Sequence, residues 1–194
     1  MKLPLASLAL LFSATVAQAQ EVTFRGQVED VSGTANQFIV DCTNTSLTSA
    51  VFNLNLFLDQ EVEITGQWNG SSINPSVSVE AIQAVPEVFE IGGGAKLGEF
   101  SSLGFTTQPG TPVFGFLSLA PGFTPFGADS VILIDTTQVV LTRSGVVGGS
   151  GILELPFFIP DSPGLIGLEL FAQGATLEAG GFVVTNPDCK TVDE

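Results

Sequence analysis

Three carboxylates, Asp59, Glu61 and Glu63, occupy alternate positions of one stretch, a spacing that suits acid–base or metal chemistry. In a β-strand such residues share one face, at steps of roughly 6.6 Å. Two carboxyl groups about 5–9.5 Å apart serve as the acid and base of glycoside hydrolases, and carboxylate oxygens are good Ca²⁺ ligands. The spacing therefore supports one alternative for this protein, a secreted glycan-active or calcium-dependent enzyme domain that uses these three residues.

A solvated strand face is the competing interpretation of the same carboxylates. Polar Thr65 and Gln67 continue the alternation, which predicts a wet face on which Glu61 and Glu63 stay ionised. The sequence contains no His, which excludes a Ser-His-Asp triad and a His-ligated zinc site. We therefore expect no catalytic residues and no cofactor, with calcium as the one ligand ion left open.

Four residues are candidates for ligand binding through aromatic rings or a turn amide. Trp68 and Asn69 lie beside a predicted hairpin turn, and Phe123 and Phe126 lie in a segment rich in Gly and Pro. An exposed aromatic ring can stack on a sugar or pack against another protein. For the Phe rings, packing into the core is the default interpretation and the exposed platform is the alternative. The predicted partners are thus a carbohydrate or another surface protein.

The first nineteen residues have the pattern of a cleavable export signal. Met1-Lys2 is followed by an apolar run and then by Ala17-Gln18-Ala19, an A-x-A cleavage site. The run is too short for a membrane-spanning helix, and no later run is long enough either. The sequence therefore predicts a signal peptide over residues 1–19, a secreted or cell-surface location and no membrane insertion.

Two cysteines, Cys42 and Cys189, lie near opposite ends of the exported chain. An even cysteine count in an oxidising compartment favours a disulfide, and a bridge here would close nearly the whole chain. Two separate thiols are the alternative.

The net charge of −15 excludes one class of partner. A surface that follows nucleic-acid phosphates needs clustered Lys and Arg, and this chain has five such residues in total. We therefore expect no nucleic-acid partner, and we attribute the acidic surface to solubility.

The elements that must position these residues are short β-strands. Alternating apolar positions over residues 20–86, as in Glu61 to Trp68, predict a small five-stranded OB-like barrel. Val85-Pro86-Glu87 and the triple glycine at 92–94 mark a boundary. Beyond it, β-runs separated by Gly and Pro predict an antiparallel β-sandwich of jelly-roll type over residues 87–194. The predicted fold class is thus all-β, a barrel followed by a sandwich.

The C-terminal half contains a set of structural motif positions with regular spacing. They are Gly151, Leu155-Pro156, Pro160, Leu165, Gly167, Leu170, Gln173, Gly174 and Thr185-Asn186. Through these positions, residues 90–187 roughly resemble a family of secreted β-sandwich proteins of unassigned function from planctomycetes and myxobacteria. The resemblance implies a β-sandwich and assigns no activity.

These observations favour an exported, non-catalytic binding or structural module of the cell surface or extracellular space. The enzyme domain described above is one alternative. A self-assembling surface component is another, because the β-runs are apolar and rich in Gly.

Overall fold

The structure, a computed structural model, describes residues 20–31, 37–127 and 129–194. The predicted signal peptide lies outside these residues. In the part of the chain that is described, no helix is long and apolar enough to cross a membrane. Nearly all regular structure is β, and a closed five-stranded barrel is followed by further sheets. The predicted fold class, an all-β barrel followed by a sandwich, is confirmed.

The barrel is built from the first five strands. They are β1 (Gln20–Asp30), β2 (Phe38–Val40), β3 (Ser46–Thr48), β4 (Glu61–Trp68) and β5 (Ser76–Ala84). Their order is β2-β3-β5-β4-β1, and pairing of β1 with β2 closes the sheet. The β3–β5 pair is parallel, and β4 pairs antiparallel with both β1 and β5. A 3₁₀ turn at Leu54–Phe57 between β3 and β4 buries Leu54 against the barrel core.

The sandwich has one sheet of four strands and one of three. The four-stranded sheet has the order β11-β8-β13-β14 and the three-stranded sheet β12-β7-β6. The bounds are β6 (Phe89–Gly92), β7 (Phe100–Thr106), β8 (Pro112–Ser118), β11 (Val139–Val146), β12 (Ile152–Phe158), β13 (Glu169–Glu178) and β14 (Gly181–Thr191). Every pairing within the two sheets is antiparallel. A short 3₁₀ turn, Pro163–Leu165, lies between β12 and β13.

A hairpin from the second half of the chain packs on the barrel. Strands β9 (Pro121–Phe126) and β10 (Ser130–Ile134) pair with each other, and β10 extends the barrel sheet through a parallel contact with β1. Phe123, Val131 and Leu133 of this hairpin are buried in the barrel core. The barrel core is therefore completed by residues that the sequence assigned to the sandwich half.

A disulfide joins the barrel to the sandwich, and a buried amide fixes the first strand of the sandwich. Cys42 and Cys189 form a disulfide with their Cα atoms 5.4 Å apart, which confirms the predicted pairing. Asn186 on β14 is buried, donates to the carbonyl of Phe89 at 2.7 Å and accepts the Val88 and Phe89 N–H groups at 3.2 Å. These bonds hold the start of β6 against β14, directly after the segment that links the two halves.

Candidate functional site

An apolar groove lies where the two sheets of the sandwich end side by side. Strands β11 and β12 are edge strands of different sheets and are consecutive in the chain. At one end they are in close contact, because a Cβ added to Gly145 would lie 2.7 Å from Cδ2 of Leu153. Toward the start of β11 and the end of β12, an open groove of about 460 Å³ lies between them. Its size is in the range of roughly 300–1,000 Å³ that is usual for small-molecule sites.

All but one of the groove's lining residues are apolar. The floor consists of buried residues of the sandwich core, and the rim includes Val140 and Phe158, whose exposed fractions are 56% and 50%. The apolar lining residues are Leu117, Val140, Leu141, Phe157, Phe158, Ile159, Pro160, Leu165, Leu168, Leu170 and Val192. Such a surface gains free energy when an apolar ligand displaces water from it.

Arg143 is the charged residue of the groove. It lies on β11 between Leu141, which packs against the sandwich core, and Gly145, which faces β12. Because alternate residues of a strand share a face, Arg143 starts on the side of β11 that faces the other sheet. Gly115 lies opposite Arg143 on β8 and has no side chain that would pack beside it.

The guanidinium of Arg143 lacks an acidic partner within the described part of the chain. Arg143 donates one hydrogen bond, to the Thr142 carbonyl at 3.3 Å. The ion pair of the described residues lies elsewhere, between Arg25 and Glu63 in the barrel. A guanidinium has five N–H donors in a planar fork that matches a carboxylate. The groove thus combines an apolar surface with a cation that can bind an anion from outside.

Trp68 and Phe123, two predicted binding residues, contact each other at the barrel. Their rings stack with centroids 5.0 Å apart, and the Trp68 indole N–H donates to the Ser71 carbonyl at 3.0 Å. Phe123 is only 2% exposed. The prediction that Phe123 forms a surface platform is therefore wrong, because the ring arrives from the β9–β10 hairpin and fills the barrel core.

Asn69 organises the loop between β4 and β5. Its amide donates to the Asn74 carbonyl at 3.1 Å, and its side-chain oxygen accepts the N–H groups of Ser71 and Ser76 at 3.1 and 3.2 Å. These bonds occupy the side chain within its own loop, and they give Asn69 a structural role.

Phe126 belongs to an aromatic cluster on the outer side of the four-stranded sheet. It is 42% exposed and lies edge-on to Phe182, which in turn packs against Phe114. A smaller apolar cavity of about 180 Å³ lies beneath these rings, between the sheet and the β9–β10 hairpin. Of the predicted aromatic candidates, Phe126 is the one that keeps a substantially exposed ring.

The structure separates the three predicted metal ligands. Asp59 precedes β4 in a left-handed conformation with φ of 57° and lies beside Glu29 and Asp30. Glu63 is held by Arg25, whose Nε and Nη2 atoms lie 3.0 Å from its Oε2 atom, and its Oε1 atom accepts from Gln83 at 2.9 Å. Asp59 therefore does not continue the strand face of Glu61 and Glu63, so the geometry does not support the predicted calcium site.

Glu61 is largely buried near the junction of the barrel and the sandwich. Within the described chain its Oε2 atom is inaccessible to water and has no hydrogen-bond partner. Burial, the largest cause, and the negative charges of Glu87, Asp41 and Asp188 together raise the pKa of Glu61 to about 7, and the positive charge of Arg25 opposes the shift. The prediction of a wet strand face does not hold for Glu61, because one of its carboxyl oxygens is buried.

One set of potential metal ligands lies close together in the described residues, namely Asp41, Cys42 and Cys189, with ligand atoms within 4.8 Å of one another. The two sulfur atoms are joined in the disulfide. Metal-binding cysteines are thiolates, so this set does not form a metal site.

Comparison with known proteins adds no relative, because no protein-family model and no curated protein matches the chain. The sequence analysis did not predict the groove or Arg143 as a site, and it named the groove residues Pro160, Leu165 and Leu170 only as structural positions. A signal for them exists in the alternation of Leu141, Arg143 and Gly145, which places one charge on an otherwise apolar strand face.

Proposed function

We propose that this protein is an exported, non-catalytic module that binds an apolar ligand in the groove between β11 and β12. The observation that carries the proposal is the groove itself, with a buried apolar floor and an exposed apolar rim. Concave, mostly apolar sites with a few polar groups are the usual form of a ligand pocket.

Two features support the exported location within this proposal. The first residues have the signal-peptide pattern described above, and the disulfide between Cys42 and Cys189 is typical of proteins that mature in an oxidising compartment.

The absence of catalytic chemistry is part of the same proposal. The chain has no His. Glu63 is engaged by Arg25 and Gln83, while Asp59 lies outside the strand. Neither residue is therefore available as a second catalytic carboxyl group for Glu61, which is itself buried at the junction of the barrel and the sandwich. Sugar stacking on Trp68 and Phe123 is not favoured, because the two rings pack on each other.

Binding of the neutral dye Nile red tests the groove. We expect saturable fluorescence enhancement with the wild-type protein, weakened roughly tenfold in Val140→Asp, because burial of a Val side chain contributes about 1.5 kcal/mol. Val51→Asp is a matched control, since Val51 is 78% exposed in a barrel loop, and it should bind as wild type does. Absence of dye binding, or equal loss in both variants, would contradict the proposed site.

A further inference from the structure

We infer that the ligand of the groove is an anionic amphiphile, an extended apolar chain that ends in a carboxylate, and that Arg143 binds the carboxylate. The inference rests on the proposed function, since it names the class of ligand for the same groove. The apolar surface of the groove would bind the chain of such a ligand, and the guanidinium beside it would bind the carboxylate.

Charge complementarity is the first argument. Twenty acidic residues outnumber five cationic ones, so the protein as a whole repels anions. Arg143 is nevertheless the one charged residue in the lining of the groove, and no carboxylate in the described chain forms an ion pair with it. An anionic headgroup would neutralise this unpaired positive charge through charge-assisted, bidentate hydrogen bonds.

The construction of the groove wall is the second argument. Arg143 lies opposite Gly115, and Gly115 lies opposite Gly174 on the next strand. A Cβ on either glycine would lie within 3 Å of Leu103 or Phe105 side-chain atoms from the other sheet. Arg143 is therefore a long charged side chain at the sheet edge, and the two neighbouring strands have no side chain at this level, so the guanidinium lies at one wall of the groove.

The edge strands favour a small amphiphile over an added peptide strand. Pro156 lies in the middle of β12 and has no N–H to donate. The pairing register of β11 shifts between Val139 and Leu141. Prolines, bulges and inward-facing charges all discourage edge-to-edge pairing. A ligand that needs no backbone ladder, such as an acyl chain, fits this site better than a β-strand does.

Edge protection alone is the competing role for Arg143, because an inward charge on an edge strand discourages aggregation. The two roles differ in one respect. Anion recognition requires that affinity depend on the ligand's headgroup charge, whereas edge protection does not.

Isothermal titration of the wild-type protein with dodecanoate, dodecanol and dodecyltrimethylammonium, below their micelle concentrations and at neutral pH, tests the inference. The three compounds share one chain and differ in headgroup charge. We expect dodecanoate to bind about tenfold or more tightly than dodecanol, and the cation to bind weakest, because hydrogen bonds to charged groups contribute roughly 1.5–3 kcal/mol. High salt should reduce the preference.

Variants locate the source of the preference. Arg143→Gln should bring dodecanoate down to the affinity of dodecanol, and Arg143→Lys should retain part of the difference. Lys190→Gln removes the same charge from β14, at the opposite edge of the four-stranded sheet, and should bind as wild type does. Thermal melting of each variant verifies its folding, and the headgroup comparison in the wild-type protein needs no variant.

Two results would overturn the inference and leave the proposed function standing. One is equal wild-type affinity for dodecanoate and dodecanol, and the other is an Arg143→Gln variant that keeps its preference for dodecanoate. If none of the three compounds binds and Nile red does not bind either, the proposed function fails as well.

Discussion

At the scale of single residues, Glu61 shows how a remote contact changes the chemistry of a side chain. Its neighbours in sequence are those of a solvated strand, but its carboxyl group lies near Glu87, Asp41 and Asp188. Burial also raises the pKa values of Asp41, Glu87 and Glu29. The junction between barrel and sandwich is therefore a set of carboxyl groups that hold protons more tightly in the folded protein.

We expect the free energy of unfolding to fall as the pH rises from about 4.5, the ordinary Glu value, to about 7 and slightly above. The folded-state pKa of Glu61 is higher than the unfolded one, so its contribution is full below the unfolded value and is lost above the folded value. Because Gln cannot ionise, the Glu61→Gln variant should lose about 1–2 kcal/mol less free energy of unfolding than the wild-type protein over this pH range, allowing for solvent screening.

Urea denaturation at pH 5 and pH 8 measures this effect, with Glu80→Gln as the control because Glu80 is an exposed acidic residue of the same sheet. If Glu61→Gln and the wild-type protein lose the same free energy of unfolding over this range, the buried carboxyl group does not contribute as described.

At the scale of elements, glycines set how closely the two sheets of the sandwich approach. Gly115 and Gly174 face each other on β8 and β13, and the space above them is filled by side chains from the other sheet. The Thr185 hydroxyl donates to the Gly174 carbonyl at 3.1 Å and accepts its N–H at 2.9 Å, at the point where the β13–β14 register shifts. Gly115 and Gly174 therefore set the distance between the two sheets whose edges form the groove.

Gly174→Ala should destabilise the protein by about 1–3 kcal/mol through overpacking. The new Cβ would clash with Cε1 of Phe105 and lie 2.9 Å from Cδ2 of Phe89, and both rings are fully buried. Gly149→Ala is the matched control, because nothing lies within 4 Å of its added Cβ. Equal denaturation midpoints for the two variants would show that the two sheets can accommodate the added Cβ without loss of stability.

At the scale of the whole molecule, one covalent bond joins the barrel to the last strand of the sandwich. Cys42 follows β2 and Cys189 lies on β14, with a separation of 147 positions in the sequence. The bond closes a loop that contains most of both cores. Its main effect in the chain-entropy model is to restrict the unfolded chain.

The double variant Cys42→Ala with Cys189→Ala should be less stable than the oxidised wild-type protein by about 4–5 kcal/mol in this model. Guanidinium denaturation with tryptophan fluorescence measures the difference, and Trp68 is the sole tryptophan. The reduced wild-type protein is the control and should resemble the variant. Unchanged stability after reduction would argue against a structural role for the bond.

The sequence by itself predicted the fold class and most of the longer strands, and it favoured the disulfide. Alternation of apolar and polar residues, as in Glu61–Trp68, is a local property that follows directly from the two-residue period of a strand. The pairing of Cys42 with Cys189 required only that the chain contain two cysteines and no other. Local pattern and counting were sufficient for these features.

Only the tertiary structure decided which of those strand faces are covered and what covers them. Phe123 comes from the β9–β10 hairpin to stack on Trp68, Asp188 comes from β14 to approach Glu61, and β12 comes beside β11 to form the groove around Arg143. A period of two shows which residues share a face, but it contains no information about the distant segment that packs there. Burial, pKa and the binding surface all depend on that segment, and for this reason the site emerged only from the folded chain.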